Sequence, residues 1–210
     1  MILSVITPAA PFVTPADIAG SHAPDDAPVA ATIAAVTEEL DGPTGWLGRA
    51  IGPQTIELRG RTFGAWRELS LPCPPLIGGV VVKYLDADLQ EQTFAADQYE
   101  VRQRSNSIRL KSSAAWPLYT DDPEAVRIQY QAGYNGTSLA SGGTGPIPAR
   151  VKQAVIVMVQ DLIATKAENL FIRSEEVEGI GTRQYTVSDQ VGAIIQRTAG
   201  RLLTGLRVYA

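Results

Sequence analysis

The sequence is poor in the residues on which most site chemistry depends. It has one cysteine, Cys73, and one histidine, His22, among 210 residues. A lone thiol cannot close an internal disulfide or share a thiolate metal site, so the fold has no need of an oxidising compartment. A lone imidazole excludes a histidine-rich zinc centre. No uninterrupted apolar run reaches the ~18–20 residues of a membrane helix. The opening "MILSVITPAAPF" has no basic segment and is broken twice by proline, which makes it a poor signal peptide. The expectation is a soluble chain made in the cytoplasm.

Basic excess is lacking too: the formal charge is −4. The charge is unevenly placed, with six acids and one base in residues 1–53 (−5), against six acids and eight bases in residues 133–210 (+2). That pattern excludes the continuous basic footprint of a dedicated nucleic-acid binder. Hydrophobic residues make up 45% of the chain, enough for a real core.

Periodicity divides what is present into helical flanks and a β-rich middle. After a proline-punctuated N-terminal arm (residues 1–25), Asp25 or Asp26 caps a predicted helix whose apolar face is Val29, Ile33, Val36 and Leu40. "DGPTG" from Asp41 ends it. Alternation then takes over in "QTIELRG", in Tyr99/Val101, in Ile108/Leu110 and in Val126/Ile128/Tyr130, while "VVVKYLDADLQEQTF" has a β-branched run, a polar turn near Asp86–Asp88 and a return through Thr93 and Phe94. Five or six short strands of this kind predict a meander or small antiparallel sandwich. A glycine- and serine-rich loop leads to Pro148. A helix follows to about Phe171, striped by Val151, Val155, Met158 and Leu162 and widened by Ala154, Val159 and Ile163. A last helix is expected from a Ser188 cap through Val191, Ile194, Ile195, Leu202 and Leu203. The predicted class is α+β: a helical core of three main helices (26–53 and 146–210), interrupted by a small antiparallel β insertion with its flexible loop (54–145), with extended arms.

Candidate chemistry is sparse. Cys73 lies between Pro72 and Pro74 and has only His22 as a partner base. The segment reads as a small, partly buried residue where prolines cap a sheet edge, not as an activated thiol. "DADLQE" (Asp86–Glu91) and "DDPE" (Asp121–Glu124) read as surface turns, since neither has EF-hand spacing. "SGGTG" near Gly142 lacks the Lys-Ser/Thr of a phosphate loop, and the acid run Glu175–Glu178 reads as a solvated face. No catalytic residue, cofactor or metal is predicted. Arg197 and Arg201, four apart on one helix face, with Arg207 and with Tyr209 as an aromatic anchor, suit a tail that docks on an acidic partner surface.

The order of several phrases resembles the tailed-phage head–tail connector (adaptor) proteins, a family also found in prophages and gene transfer agents. The phrases are "ELDGPTGWLGRAIGPQTIEL" with Gly48–Arg49, "LSLPCPPLIGGVVVKYLDADLQEQTF" with Leu71–Pro75 and Val82–Tyr84, "YEV" at Tyr99, "VRIQYQAGY" ending Tyr130–Tyr134, and "IPARVKQAVIVMVQDL" with Pro148–Ala154. The likeness spans roughly residues 26–171. "RQYTV" (Arg183–Val187) matches the family's arm before the last helix only loosely, and "ATKAENLF" replaces its usual ending of the long helix.

The resemblance implies a structural, non-enzymatic subunit that forms a ring, typically of twelve copies, beneath the portal. It implies contacts with the portal and with a tail-side connector or terminator, and a DNA channel without specific DNA binding. It places the chain in the host cytoplasm before assembly and in the virion neck after it. C-terminal segments of such adaptors reach toward the portal, which implicates residues 197–210 and makes Arg197, Arg201, Arg207 and Tyr209 the candidate portal contacts. The alternative reading is another ring-forming virion component, such as a tail-completion or tail-terminator protein.

Overall fold

Ile56, Leu58, Ile128 and Tyr130 alternate with polar neighbours, and all four are at most 2% exposed. They lie on paired strands at the centre of the larger of two compact units. The computed structural model describes residues 1–64, 67–167, 174–177, 181–184 and 197–208. The first unit comprises Met1–Ala10, Leu40–Ile147 and Arg207–Ala210; the second comprises Pro11–Glu39 and Pro148–Leu206.

In the first unit, strands β1 (Ile2–Thr7), β2 (Gln54–Gly60), β4 (Leu76–Leu85), β5 (Glu91–Phe94) and β8 (Val126–Ala132) form an antiparallel sheet in the order β1-β2-β8-β4-β5. A second antiparallel sheet has the order β3-β7-β6, from β3 (Glu68–Ser70), β6 (Tyr99–Arg102) and β7 (Ser107–Leu110). One core joins them, with Ile56, Val82, Ile128 and Tyr130 from the first sheet and Tyr99 and Ile108 from the second. The insertion of β8 between β2 and β4 rules out a simple meander. Burial of one face of each sheet against the other gives the sandwich. Phe63 stacks on Trp116 with centroids 4.4 Å apart and meets Tyr119 edge-on.

Register is set on the outer face as well as in the core. Glu57 alternates with Ile56 and Leu58 and points away from them, yet it is 3% exposed. It accepts hydrogen bonds from Arg59 and, at 2.7 Å, from Gln129 on β8. Arg59 also reaches Glu124, while Glu91 on β5 pairs with Lys83 and Arg127. A one-residue slip would put these charges into the core.

The second unit carries α1 (Ala27–Leu40, its last residue across the boundary) and α2 (Ala149–Ala167). Asp26 caps α1, its Oδ1 accepting the Val29 N–H at 3.2 Å. Val29, Ile33, Val36 and Leu40 are all buried, as their spacing predicts. On α2 the buried set is Val151, Ala154, Val155 and Val159, whereas Leu162 is 41% exposed, so the stripe lies slightly to one side of its predicted line. Asp17 sits in a short 3-10 turn (Pro15–Asp17), binds the Thr14 N–H and hydroxyl, and pairs with Lys152 of α2 at 2.9 Å. β9 (Ser174–Val177) and β10 (Gly181–Gln184) form an antiparallel two-stranded sheet. A third helix, α3, covers residues 197–203, with Ala199 and Leu203 buried. The Ser188 cap, Val191, Ile194 and Ile195 lie outside the described residues.

The chain is therefore α+β, but strands dominate. The β part is not a small insertion in a helical core; it organises the larger unit, because residues 2–7 extend the sheet from the far end of the sequence.

Candidate functional site

Three of the phrases that carry the resemblance meet at one junction of the first unit. Arg49 Nη1 donates to the Tyr134 hydroxyl at 2.6 Å, and its guanidinium lies 6.0 Å from that ring's centroid. This joins the "GR" phrase to the "AGY" phrase. The N–H of Tyr134 bonds the Ile51 carbonyl and the N–H of Gly133 bonds the Pro75 carbonyl, both at 2.8 Å. Tyr130 donates to the Pro72 carbonyl at 2.7 Å, and the Ala50 N–H donates to the Pro74 carbonyl. Backbone strands that alternate in sequence are thus locked by side chains and carbonyls from loops. Gly133 has φ +121°, and a Cβ there would lie 2.1 Å from the Gly52 oxygen, so only glycine admits this approach.

Asp41, in the phrase that ends α1, accepts the Ile51 N–H at 2.7 Å and the Gln54 amide at 2.9 Å. Burial pushes its carboxyl above the ordinary range, and those hydrogen bonds pull it only part of the way back. Tyr130 is likewise raised by burial.

Cys73 belongs to this junction and is 5% exposed. Burial, with a smaller contribution from Asp41, pushes its thiol up to about 11, so the thiolate is scarce at neutral pH. The other residue of the hypothetical dyad, His22, has its Nδ1 3.1 Å from Asp26 Oδ2 in the second unit. The segment around Cys73 is core, not merely the capped edge that its prolines suggested: Leu71, Cys73 and Leu76 all join the central cluster.

The two acidic stretches are turns. Asp86 Oδ1 accepts the N–H groups of Asp88 and Gln90, and Asp121 makes a two-pronged pair with Arg61. The glycine- and serine-rich loop is tied at its base, where Asn135 Oδ1 accepts the N–H groups of Thr137 and Thr144. Among the described residues, no group of three or more His, Cys, Asp or Glu is placed to hold a metal ion, and no helix is long and apolar enough to cross a membrane.

The four candidate contact residues are not gathered into one site. Arg197 and Arg201 lie exposed, one turn apart, on α3 in the second unit. Arg207 is exposed in the first unit, with its guanidinium 4.6 Å from the Trp46 ring centroid. Beside it the Val208 N–H donates to the Leu47 carbonyl at 2.8 Å. Gly48 permits this approach, because a Cβ there would lie 2.7 Å from the Val208 oxygen. Tyr209 lies outside the described residues. The seat formed by Trp46, Leu47 and Gly48 is absent from the sequence reading. Its one local signal is the glycine of the "GR" phrase, which says nothing of a partner 160 residues away.

No protein-family model and no curated protein matches the sequence. Solved structures do. A chain in the neck of an empty gene transfer agent (GTA) particle, computed with C6 symmetry, superposes with a TM-score of 0.62 at 16% identity, over 100% of this chain and 97% of that one. The neck of the native particle, computed with C12 symmetry, gives the same figures. The virion of the native particle gives a TM-score of 0.60 at 17% identity, with the same coverage. The fold is that of a GTA neck chain. The likeness runs from end to end and includes both units, and it agrees with the connector resemblance carried by the sequence phrases.

Proposed function

We propose that the chain is a structural component of a virion neck, specifically a head–tail adaptor. It forms a ring beneath the portal, extends the DNA channel and presents a surface to a tail-side connector or terminator. The observation that carries this reading is the full-length likeness of fold to a GTA neck chain, including the parts with no phrase in the sequence resemblance. The C12 and C6 symmetries of those necks support a ring, with twelve copies as the expected number. A ring subunit uses two different faces toward its two neighbours, a heterologous contact that closes by rotation.

The role is non-enzymatic. Its one thiol is buried and held protonated, and the phrases that carry the resemblance build a backbone junction instead of converging on a substrate. A net charge of −4 suits a conduit through which DNA moves, since many phosphate contacts would resist translocation. Arg197, Arg201, Arg207 and Tyr209 remain the proposed portal contacts. The chain would be cytoplasmic until assembly places it in the neck.

The test is to mix the purified chain with the portal ring of the same particle and weigh the product by mass photometry, with the free chain alongside. A bound increment of about twelve subunits is expected. An unchanged portal mass across salt conditions rejects portal docking and leaves the tail-side ring component as the reading.

A further inference from the structure

Among the described residues, the strand β1 is an open edge of unusual composition for an exposed position. Its sequence, ILSVIT, has no charge and no proline. One side pairs with β2, and β1 ends the sheet order on the other. Met1, Ile2, Val5 and Ile6 are 63%, 65%, 39% and 50% exposed. Edges are normally protected by charge, because a row of unpaired backbone groups invites another strand. The remaining edges follow that rule: β5 carries Glu91, β3 carries Glu68, and β6 carries Glu100 and Arg102. β1 carries only a bulge between Val5 and Thr7, which leaves Ile2–Val5 in regular register for pairing.

The same chain holds a complementary element. Among the described residues, β9 and β10 pair only with each other. A lone two-stranded sheet is marginal in water and gains stability from a third strand. We propose that in the assembled ring β1 of one copy is extended by the β9–β10 strand pair of the neighbouring copy, so that a shared sheet forms the seam between subunits. This rests on the ring reading above.

One further observation favours a second copy of the chain as the occupant. A stable, specific two-body interface buries about 1,200–2,000 Å² in total, far more than the four exposed apolar residues of this edge can supply. The edge is too small to hold a dimer by itself, and suits one band of a wider contact between ring neighbours.

The test is a cysteine pair, Ser4→Cys with Thr182→Cys, and Ser4→Cys with Arg183→Cys to cover the adjacent register. Rings assembled on the portal are treated with a short bis-maleimide and separated under denaturing conditions. The native thiol of Cys73 is buried and gives little background. A ladder of multimers from the double variants, absent from each single variant, is expected. If the ring assembles at its normal mass and no ladder appears, the seam is wrong. A link confined to single chains overturns it too, since the strand pair would then cover β1 of its own copy, and so does a link to the portal alone. If no ring forms in the unmodified protein, the adaptor reading itself fails and the seam with it. As a second measurement, Ile2→Lys places a charge on the exposed edge. It should raise the concentration for half-assembly at least about tenfold while leaving the melting temperature unchanged; unaltered assembly overturns the proposal.

Discussion

Gly133 and Asp17 show how much single residues decide here. At φ +121° and with the Gly52 oxygen 2.1 Å from any added Cβ, Gly133→Ala must displace the backbone that links β8 to the 49–53 segment. Urea unfolding should show a loss of more than about 3 kcal/mol. Asp17 is a milder case. The Lys152 hydrogen bond, then those from the Thr14 N–H and hydroxyl, lower its carboxyl to about 2 from 3.8. A depressed carboxyl contributes stability that is fully present above its unfolded pKa and is lost as pH falls through the folded one. Asp17→Asn should therefore cost about 1 kcal/mol or less at neutral pH, given the partial exposure of the pair. The difference from the unmodified protein should shrink between pH 3.8 and about 2, as followed by thermal melts. Asp41 acts in the opposite sense: its raised carboxyl favours the folded chain most at low pH, and that contribution fades as pH rises through its folded pKa.

Among the elements, the sandwich is held by strands that are distant in sequence. β2 and β8 are seven residues each and pair over their full length, although more than sixty residues separate them. The Arg49–Tyr134 contact clamps the loops at one end of that pair. A double-mutant cycle with Arg49→Ala and Tyr134→Phe should give a coupling of about 0.5–1.5 kcal/mol in denaturant unfolding. Additive effects would show that the two side chains act separately. Arg49 Nε has no hydrogen-bond partner, so a gain from Arg49→Ala at this position would have a physical source as well. The edge strand β1 matters for a different reason. It covers β2, whose positions 54–60 are mostly buried, and it brings an uncharged edge of its own to the surface.

For the whole molecule, each unit is assembled from separated pieces of chain: three segments for the first and two for the second. Folding of the first unit thus requires residues 1–10 and 207–210 to return to the sheet-bearing middle. Cys73 is a natural reporter of that event, since its thiol is buried and pushed up to about 11. At pH 8, labelling of the folded chain by iodoacetamide should be at least about 100-fold slower than labelling in urea. Rapid labelling of the folded protein would mean that the segment around Cys73 opens locally and would reopen the question of a reactive thiol.

Much of the local structure was written in the order of residues. The spacing of Val29, Ile33, Val36 and Leu40, the Asp26 cap, the alternation along β2 and β8 and the β-branched run of β4 depend on neighbours within a turn or a strand, and they appear where expected. The phrases behind the connector resemblance also lie in sequence, and the fold likeness to a GTA neck chain agrees with them. Three features were not legible. Residues 2–7 look like part of a proline-punctuated arm because the partner that makes them a strand begins at residue 54. Glu57 looks like an ordinary outward position because Arg59, Gln129 and their neighbours bury it only after pairing. Arg207 looks like tail decoration because Trp46 lies far away in sequence. Periodicity records which side of an element is apolar. Only the closed chain decides what each side meets, since that depends on long-range pairing that no local pattern contains.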